Sequence, residues 1–159
     1  GLALLRDGEV DFAVGPLLEI PEDIAFHPIV SYEPLLITCL DHPLAKRKRV
    51  TLADISKYPL ILPPRELSTW RIVESEFAKH GLPHNVKLEV GGWEVIKTYV
   101  ELGLGISIVM SICITGDEKL AVIPVSKWFP DRTYGVVLRK GRAVSTQARR
   151  FIGIMGPQV

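Results

Sequence analysis

The chain has 159 residues, 19 Lys+Arg against 18 Asp+Glu for a formal net charge of +1, and 47% hydrophobic residues. A chain of this length buries roughly 68–70% of its unfolded surface, enough for one domain or two small lobes, and its balanced charge gives no global electrostatic reason for a nucleic-acid or anionic-membrane partner. No apolar run reaches the roughly 18 residues that span a bilayer, and the start Gly1-Leu2-Ala3-Leu4-Leu5-Arg6 lacks the basic region and cleavage site of a secretory signal, so the chain reads as cytoplasmic.

Residues 2–6 read as the last turns of a helix with Gly8 as its C-cap, and 11–15 as the strand that follows. Pro16, Pro21 and Pro28 punctuate an irregular path with a short strand near 24–27. An apolar strand at 34–40 is closed by the turn former Asp41-His42-Pro43, and Thr51, three residues before Asp54, starts one helical turn in the manner of a capping box. The next strand, 60–62, is bracketed by Pro59, Pro63 and Pro64. Residues 68–81 have helical spacing, with Trp70, Val73 and Phe77 apolar and Glu74, Glu76 and Lys79 between them. A strand at 86–90, an amphipathic helix at 93–102 capped by Gly103, and a wholly apolar strand at 105–110 of the buried parallel kind complete a βαβ pattern. Strands at 120–125 and 133–139 are expected to return to the first lobe, and a helix at Thr146–Ile154 closes the chain.

Few residues offer chemistry. Cys39 and Cys113 fall in apolar strands without a CxxC or a neighbouring His or Cys, as buried free thiols do. His27, His42, His80 and His84 show no HxxxH or HExxH spacing; only His80 and His84 lie close, across Gly81-Leu82-Pro83, and no metal or cofactor is expected. Nucleophile elbows, phosphate loops and paired catalytic carboxylates are absent, so nothing supports an enzyme. Lys46-Arg47-Lys48-Arg49 reads as a solvated loop. Lys97, between Glu94 and Glu101, fits i,i+3 and i,i+4 helix pairs.

Three stretches carry a resemblance. Leu4-Leu5-Arg6-Asp7-Gly8-Glu9-Val10-Asp11-Phe12-Ala13-Val14, then Asp41-His42-Pro43-Leu44-Ala45 with Val50-Thr51-Leu52-Ala53-Asp54-Ile55, and Val95-Ile96-Lys97-Thr98-Tyr99-Val100-Glu101-Leu102-Gly103-Leu104-Gly105 resemble the effector domain of LysR-type transcriptional regulators. The third is similar to the cysteine-regulon branch in particular. The resemblance runs over nearly the whole chain. It implies an α/β, two-lobed type 2 periplasmic-binding-protein-like fold, with residues 1–60 and 124–159 as the remnant of the first lobe and 61–123 as the second.

That family begins its effector domain with a strand, a helix and a second strand before the first of these stretches, preceded by a DNA-binding helix-turn-helix. Both are expected to be missing here, leaving the first lobe incomplete. The strand at 11–15 is then an apolar edge in need of cover, from another copy or at the expense of solubility. DNA contact comes only through the missing domain, no membrane is involved, and the expected partners are a small anionic inducer and further copies of the chain.

In the implied fold a ligand lies between the lobes, beyond the carboxyl ends of strands where helix N-termini present N–H groups. Ser68 and Thr69 open the helix after strand 60–62; Ser68 matches the hydroxyl residue with which the branch holds its anion, and it reads equally as a plain N-cap. Gly91-Gly92 stands where the branch carries a Thr-Asp pair, which removes a hydroxyl but leaves backbone N–H groups open to close approach. Trp93 is a wall of the cleft or a core aromatic. Arg65 pairs with an acidic ligand or is a solvated loop residue. The rival readings are a transport solute-binding protein of the same fold, which needs a secretory signal and a full first lobe, and an enzyme on that fold, such as a porphobilinogen-polymerising or dehydratase-type domain, for which no cofactor cysteine or catalytic motif is present.

Overall fold

The structure is a computed structural model that describes residues 1–156. In chain order its elements are α1 (Leu2–Asp7), β1 (Ala13–Pro16), β2 (Ile24–Tyr32), β3 (Pro34–Cys39), α2 (Leu52–Ile55), β4 (Pro59–Leu62) and α3 (Ser68–Lys79). There follow β5 (Asn85–Glu89), α4 (Trp93–Glu101), β6 (Ser107–Met110), a 3-10 turn at Ser111–Cys113, β7 (Leu120–Pro124), β8 (Arg132–Arg139) and α5 (Thr146–Ile154). The chain divides into two units, one made of residues 1–31 and the chain from 132 onward, the other of 32–131. Residues 32–60 and 124–131, expected from the sequence to accompany the termini, belong with 61–123. The reason is β3, which pairs antiparallel with both β6 and β7 and so draws its flanking segments into the same unit.

In the smaller unit the strand order is β1-β8-β2. Period-2 alternation along β8 feeds two cores. Val137 packs with Leu5 of α1 and with Ile24, whereas Val136 and Leu138 pack with Ile152 of α5, so the two helices cover opposite faces. The short strand expected at 24–27 continues to Tyr32 through Pro28, which is tolerated because β2 lies at a sheet edge and owes no ladder N–H on its outer side. Gly135 of β8 admits the close approach of β2: a Cβ there would fall against the carbonyl oxygen of His27 and 2.7 Å from the ring of Phe26.

The larger unit repeats this logic. Leu36 of β3, Ile108 of β6 and Leu60 and Leu62 of β4 point to one side, into a core with Trp70, Val73 and Phe77 of α3. Leu35, Ile37, Val109 and Ile61 point to the other side, toward Ile96 and Val100 of α4. The spacing of Trp70, Val73 and Phe77 is thus the buried stripe of α3. β6 is buried throughout as expected, but its ladder with β3 is antiparallel, and its parallel contact is only the Leu60–Ile106 bridge to β4. β7, expected to rejoin the first lobe, stays in this unit as the second partner of β3.

Local chemistry fixes the connections. The capping box forms: the Thr51 Oγ1 accepts from the Asp54 N–H at 3.1 Å and the Asp54 carboxylate accepts from the Thr51 N–H at 3.0 Å. Cys39 and Cys113 are free thiols, half-buried rather than buried.

Candidate ligand-binding site

β4 and β5 run parallel, with Leu62 opposite Glu89 and the Val90 N–H donating to the Leu62 carbonyl at 3.0 Å. Two neighbouring strands therefore end at the same level, and each hands over to a helix: β4 through residues 63–67 to α3, β5 through 90–92 to α4. This brings Arg65, Ser68 and Thr69 to the same sheet end as Gly91, Gly92 and Trp93. Neither helix is capped by a side chain. Leu67 is the N-cap of α3 and Gly92 that of α4, and neither makes a side-chain cap bond. Ser68, expected as a cap, is the first helical residue instead, because the chain between Pro64 and Leu67 closes as a turn, Leu67 N–H to Pro64 carbonyl at 2.9 Å, and carries the extended cap conformation to Leu67.

The individual residues differ in availability. Ser68 is half-buried, Thr69 is 4% exposed, and Gly91 and Gly92 are exposed. Gly92 sits at φ 91°, a left-handed value that a residue with a Cβ rarely adopts, so a Thr-Asp pair could not take this backbone path unstrained. Trp93 is half-buried against the core beneath α4. Arg65 is committed elsewhere: its guanidinium lies 4.7 Å from the Trp70 ring centroid and 3.5 Å from the Glu89 carboxylate, which also accepts from the Arg65 N–H at 3.2 Å. Glu89 went unnoticed in the sequence because on β5 it is one more solvent-side residue in a regular alternation; only the Leu62–Glu89 register sets it beside the loop. With Arg65 offset by Glu89, what the strand ends add electrostatically is the positive ends of two helix dipoles.

α4 is held from beneath by an ion cluster. Lys97, its side chain 4% exposed, donates to Glu118 at 2.7 Å, to Glu94 at 2.8 Å and to the Cys113 carbonyl at 2.7 Å. The i,i+3 pair with Glu94 expected from the sequence forms; Glu101 turns instead to the Lys119 N–H at 3.0 Å. Burial by itself would lower Lys97, but Glu118 and Glu94 outweigh it and hold it above the ordinary lysine range. The Lys97 ammonium, with the Thr115 and Gly116 N–H groups, holds the Glu118 carboxyl far below the usual range. Burial pushes the Cys113 thiol up. Glu118 has no sequence signature, since its partner lies 21 residues away.

Residues 2–158 match the LysR substrate binding domain family. The regulator CysB of Burkholderia cenocepacia is 33% identical over 132 residues, 82% of this chain and 42% of that protein. The chain spans about half the length of the curated relatives it matches. Among solved structures, the cofactor-binding domain of the Cbl transcriptional regulator superposes with a TM-score of 0.81 at 28% identity, over 97% of this chain and 69% of that one. The effector binding domain of QuiR in complex with shikimate gives a TM-score of 0.83 at 22% identity, over 97% and 74%. The matched span and the superposed architecture agree: the chain has the type 2 periplasmic-binding-protein-like fold and belongs to the LysR substrate-binding domain family.

Proposed function

We propose that this chain is the inducer-sensing part of a LysR-type transcriptional regulator and that its inducer is a small anion received where β4 and β5 hand over to α3 and α4. The observation that carries the reading is the pair of adjacent helix N-termini without N-cap side-chain bonds, each at the carboxyl end of a parallel strand. Ser68 and Thr69 contribute at the first turn of α3, Gly91 and Gly92 allow close backbone approach, and Trp93 lines the turn. Arg65, balanced by Glu89, assists at most as a neutralised pair. The shikimate bound by QuiR is a carboxylate, which supports an anion as the ligand class.

Binding, not catalysis, is the role: curated relatives are named as HTH-type transcriptional regulators, which also favours this reading over a transport solute-binding protein. In the whole protein, occupancy would bias a homo-oligomer's arrangement on DNA, contacted through a domain outside this chain. The test is titration with sodium sulfate at constant ionic strength, followed by amide resonances. Saturable shifts are expected at Ser68, Thr69 and Gly92, with affinity falling roughly tenfold in Ser68→Ala for the loss of one hydrogen bond to a charged group. Unchanged affinity in that variant would reduce Ser68 to a first-turn helix residue.

A further inference from the structure

The run Lys46-Arg47-Lys48-Arg49 is not uniformly solvated. Arg47 pairs with Asp54 at 2.9 Å, which leaves Lys48 and Arg49 facing a concavity of about 450 Å³. Its far side comes from the segment after β7, with Ser126, Lys127 and Trp128. Three cations and the hydroxyl residues Thr51 and Ser126 thus line one cavity, and no carboxylate does. Among the described residues neither Lys48 nor Arg49 has a carboxylate within ion-pair distance, and Lys127 lies 4.9 Å from the Trp128 ring centroid, over its face. A chain with only one net positive charge has here gathered an unneutralised excess of it.

The floor is rigid. The Trp128 indole N–H donates to the Val50 carbonyl at 2.9 Å, and its backbone N–H to the Val125 carbonyl at 2.9 Å. Val50, Val125 and Phe129 are buried in the core that α3 covers. The nearby carboxylate, Asp54, is already committed to Thr51, Arg47 and Lys57. The ring of His80 stands edge-on to Trp128, 5.7 Å between centroids. A concave, low-dielectric wall lined by one sign of charge focuses potential and concentrates counter-ions, and a volume near 450 Å³ is within the roughly 300–1,000 Å³ of small-molecule sites.

We propose that this cavity is a binding site for a small multivalent oxyanion, a phosphate or sulfate ester, held by Lys48, Arg49 and Lys127 against the Trp128 wall. It uses none of the residues at the ends of β4 and β5 and stands independently of the function proposed for them.

The experiment is titration of the 159-residue chain with sodium pyrophosphate at constant ionic strength, reading the Trp128 indole N–H resonance and the amides of 48–51 and 126–128 by NMR. Expected is a saturable shift whose affinity falls roughly tenfold in Arg49→Gln and again in Lys127→Gln, two exposed positions outside the core, while Ser68→Ala leaves it unchanged. Shifts that grow without saturation and are equalled by sodium chloride would overturn the site as an ion atmosphere. Saturable shifts confined to residues 65–69 and 90–93 would overturn it too, by assigning the oxyanion to the strand ends. Shifts seen with a short DNA duplex but not with pyrophosphate would replace it with a nucleic-acid surface.

Discussion

At the residue scale, two titratable groups show how burial in one case and a charged partner in the other decide what a side chain does. His42, in the turn after β3, accepts the Leu44 N–H on Nδ1 at 3.1 Å and stands edge-on to Tyr58, 4.4 Å between centroids. The acceptor role needs a neutral ring, and burial lowers the His42 pKa from its ordinary value. A folded value below the unfolded one stabilises above the ordinary histidine range, and that stability is lost as pH falls through the folded value. Urea unfolding of wild type and His42→Gln across mildly acid pH is therefore expected to show the larger fall in wild type; parallel curves would remove His42 from the pH dependence. Glu118 titrates lower. Its depressed carboxyl stabilises above the ordinary glutamate range and loses that contribution as pH drops below it. Glu118→Gln leaves the Lys97 ammonium, 4% exposed, with Glu94 and the Cys113 carbonyl only, so about 2 kcal/mol, the worth of one hydrogen bond between charged groups, should be lost at neutral pH, with the gap to wild type narrowing in acid. A constant gap would mean that Glu118 acts by packing alone.

At the scale of elements, short sequence signals were legible wherever the interaction is local. Thr51 and Asp54 lie three residues apart and form the reciprocal cap, and Thr51→Ala is expected to cost about 1 kcal/mol in chemical unfolding. The apolar stripe of α3 and the amphipathic face of α4 were legible for the same reason, a 3.6-residue period. Readings failed where the partner strand decides, as with β7, which stays with β3. The strand expected at 105–110 keeps one parallel bridge, Ile106 to Leu60 of β4, but β6 itself pairs antiparallel with β3, because burial on both faces and not direction is what such a run reports. Pro28 suggested a break, but an edge strand absorbs it. Gly135→Ala tests the β8–β2 approach: its methyl would meet the His27 carbonyl and Phe26, at a cost of about 1–3 kcal/mol in the urea midpoint. A neutral effect would mean β2 can move away freely.

At the scale of the whole chain, the division at residues 31 and 132 makes the larger unit one continuous segment and the smaller one discontinuous. Residues 32–131 contain a core on both sides of their strands, one with α3 and one with α4, so that segment expressed alone should unfold cooperatively in urea, read by far- and near-ultraviolet circular dichroism. A non-cooperative transition would show that it needs the smaller unit. That smaller unit ends its sheet at β1, with Val14 51% and neighbouring Leu18 and Ile20 each 56% exposed. An edge of this kind invites strand pairing, so the 159-residue chain is expected to associate with rising concentration in sedimentation equilibrium, and Val14→Lys should suppress it; a monodisperse monomer at every concentration would sink the idea.

The amino-acid sequence by itself determined what depends on near neighbours: the caps, the helical stripes, the turn at Asp41-His42-Pro43, and the family words that span the chain. It marked Arg65, Ser68, Thr69, Gly91, Gly92 and Trp93 as candidates, and the parallel pairing of β4 with β5 brings them to one sheet end. Only the tertiary structure decided which segments share a sheet, because a strand's pattern reports burial and not the identity or direction of its partner. For the same reason only the fold could set Glu89 beside Arg65, Glu118 under Lys97, and Lys127 across from Arg49. Charges that are strangers along the chain become partners only when the backbone register is settled, and those pairings decide which cations remain open to a ligand.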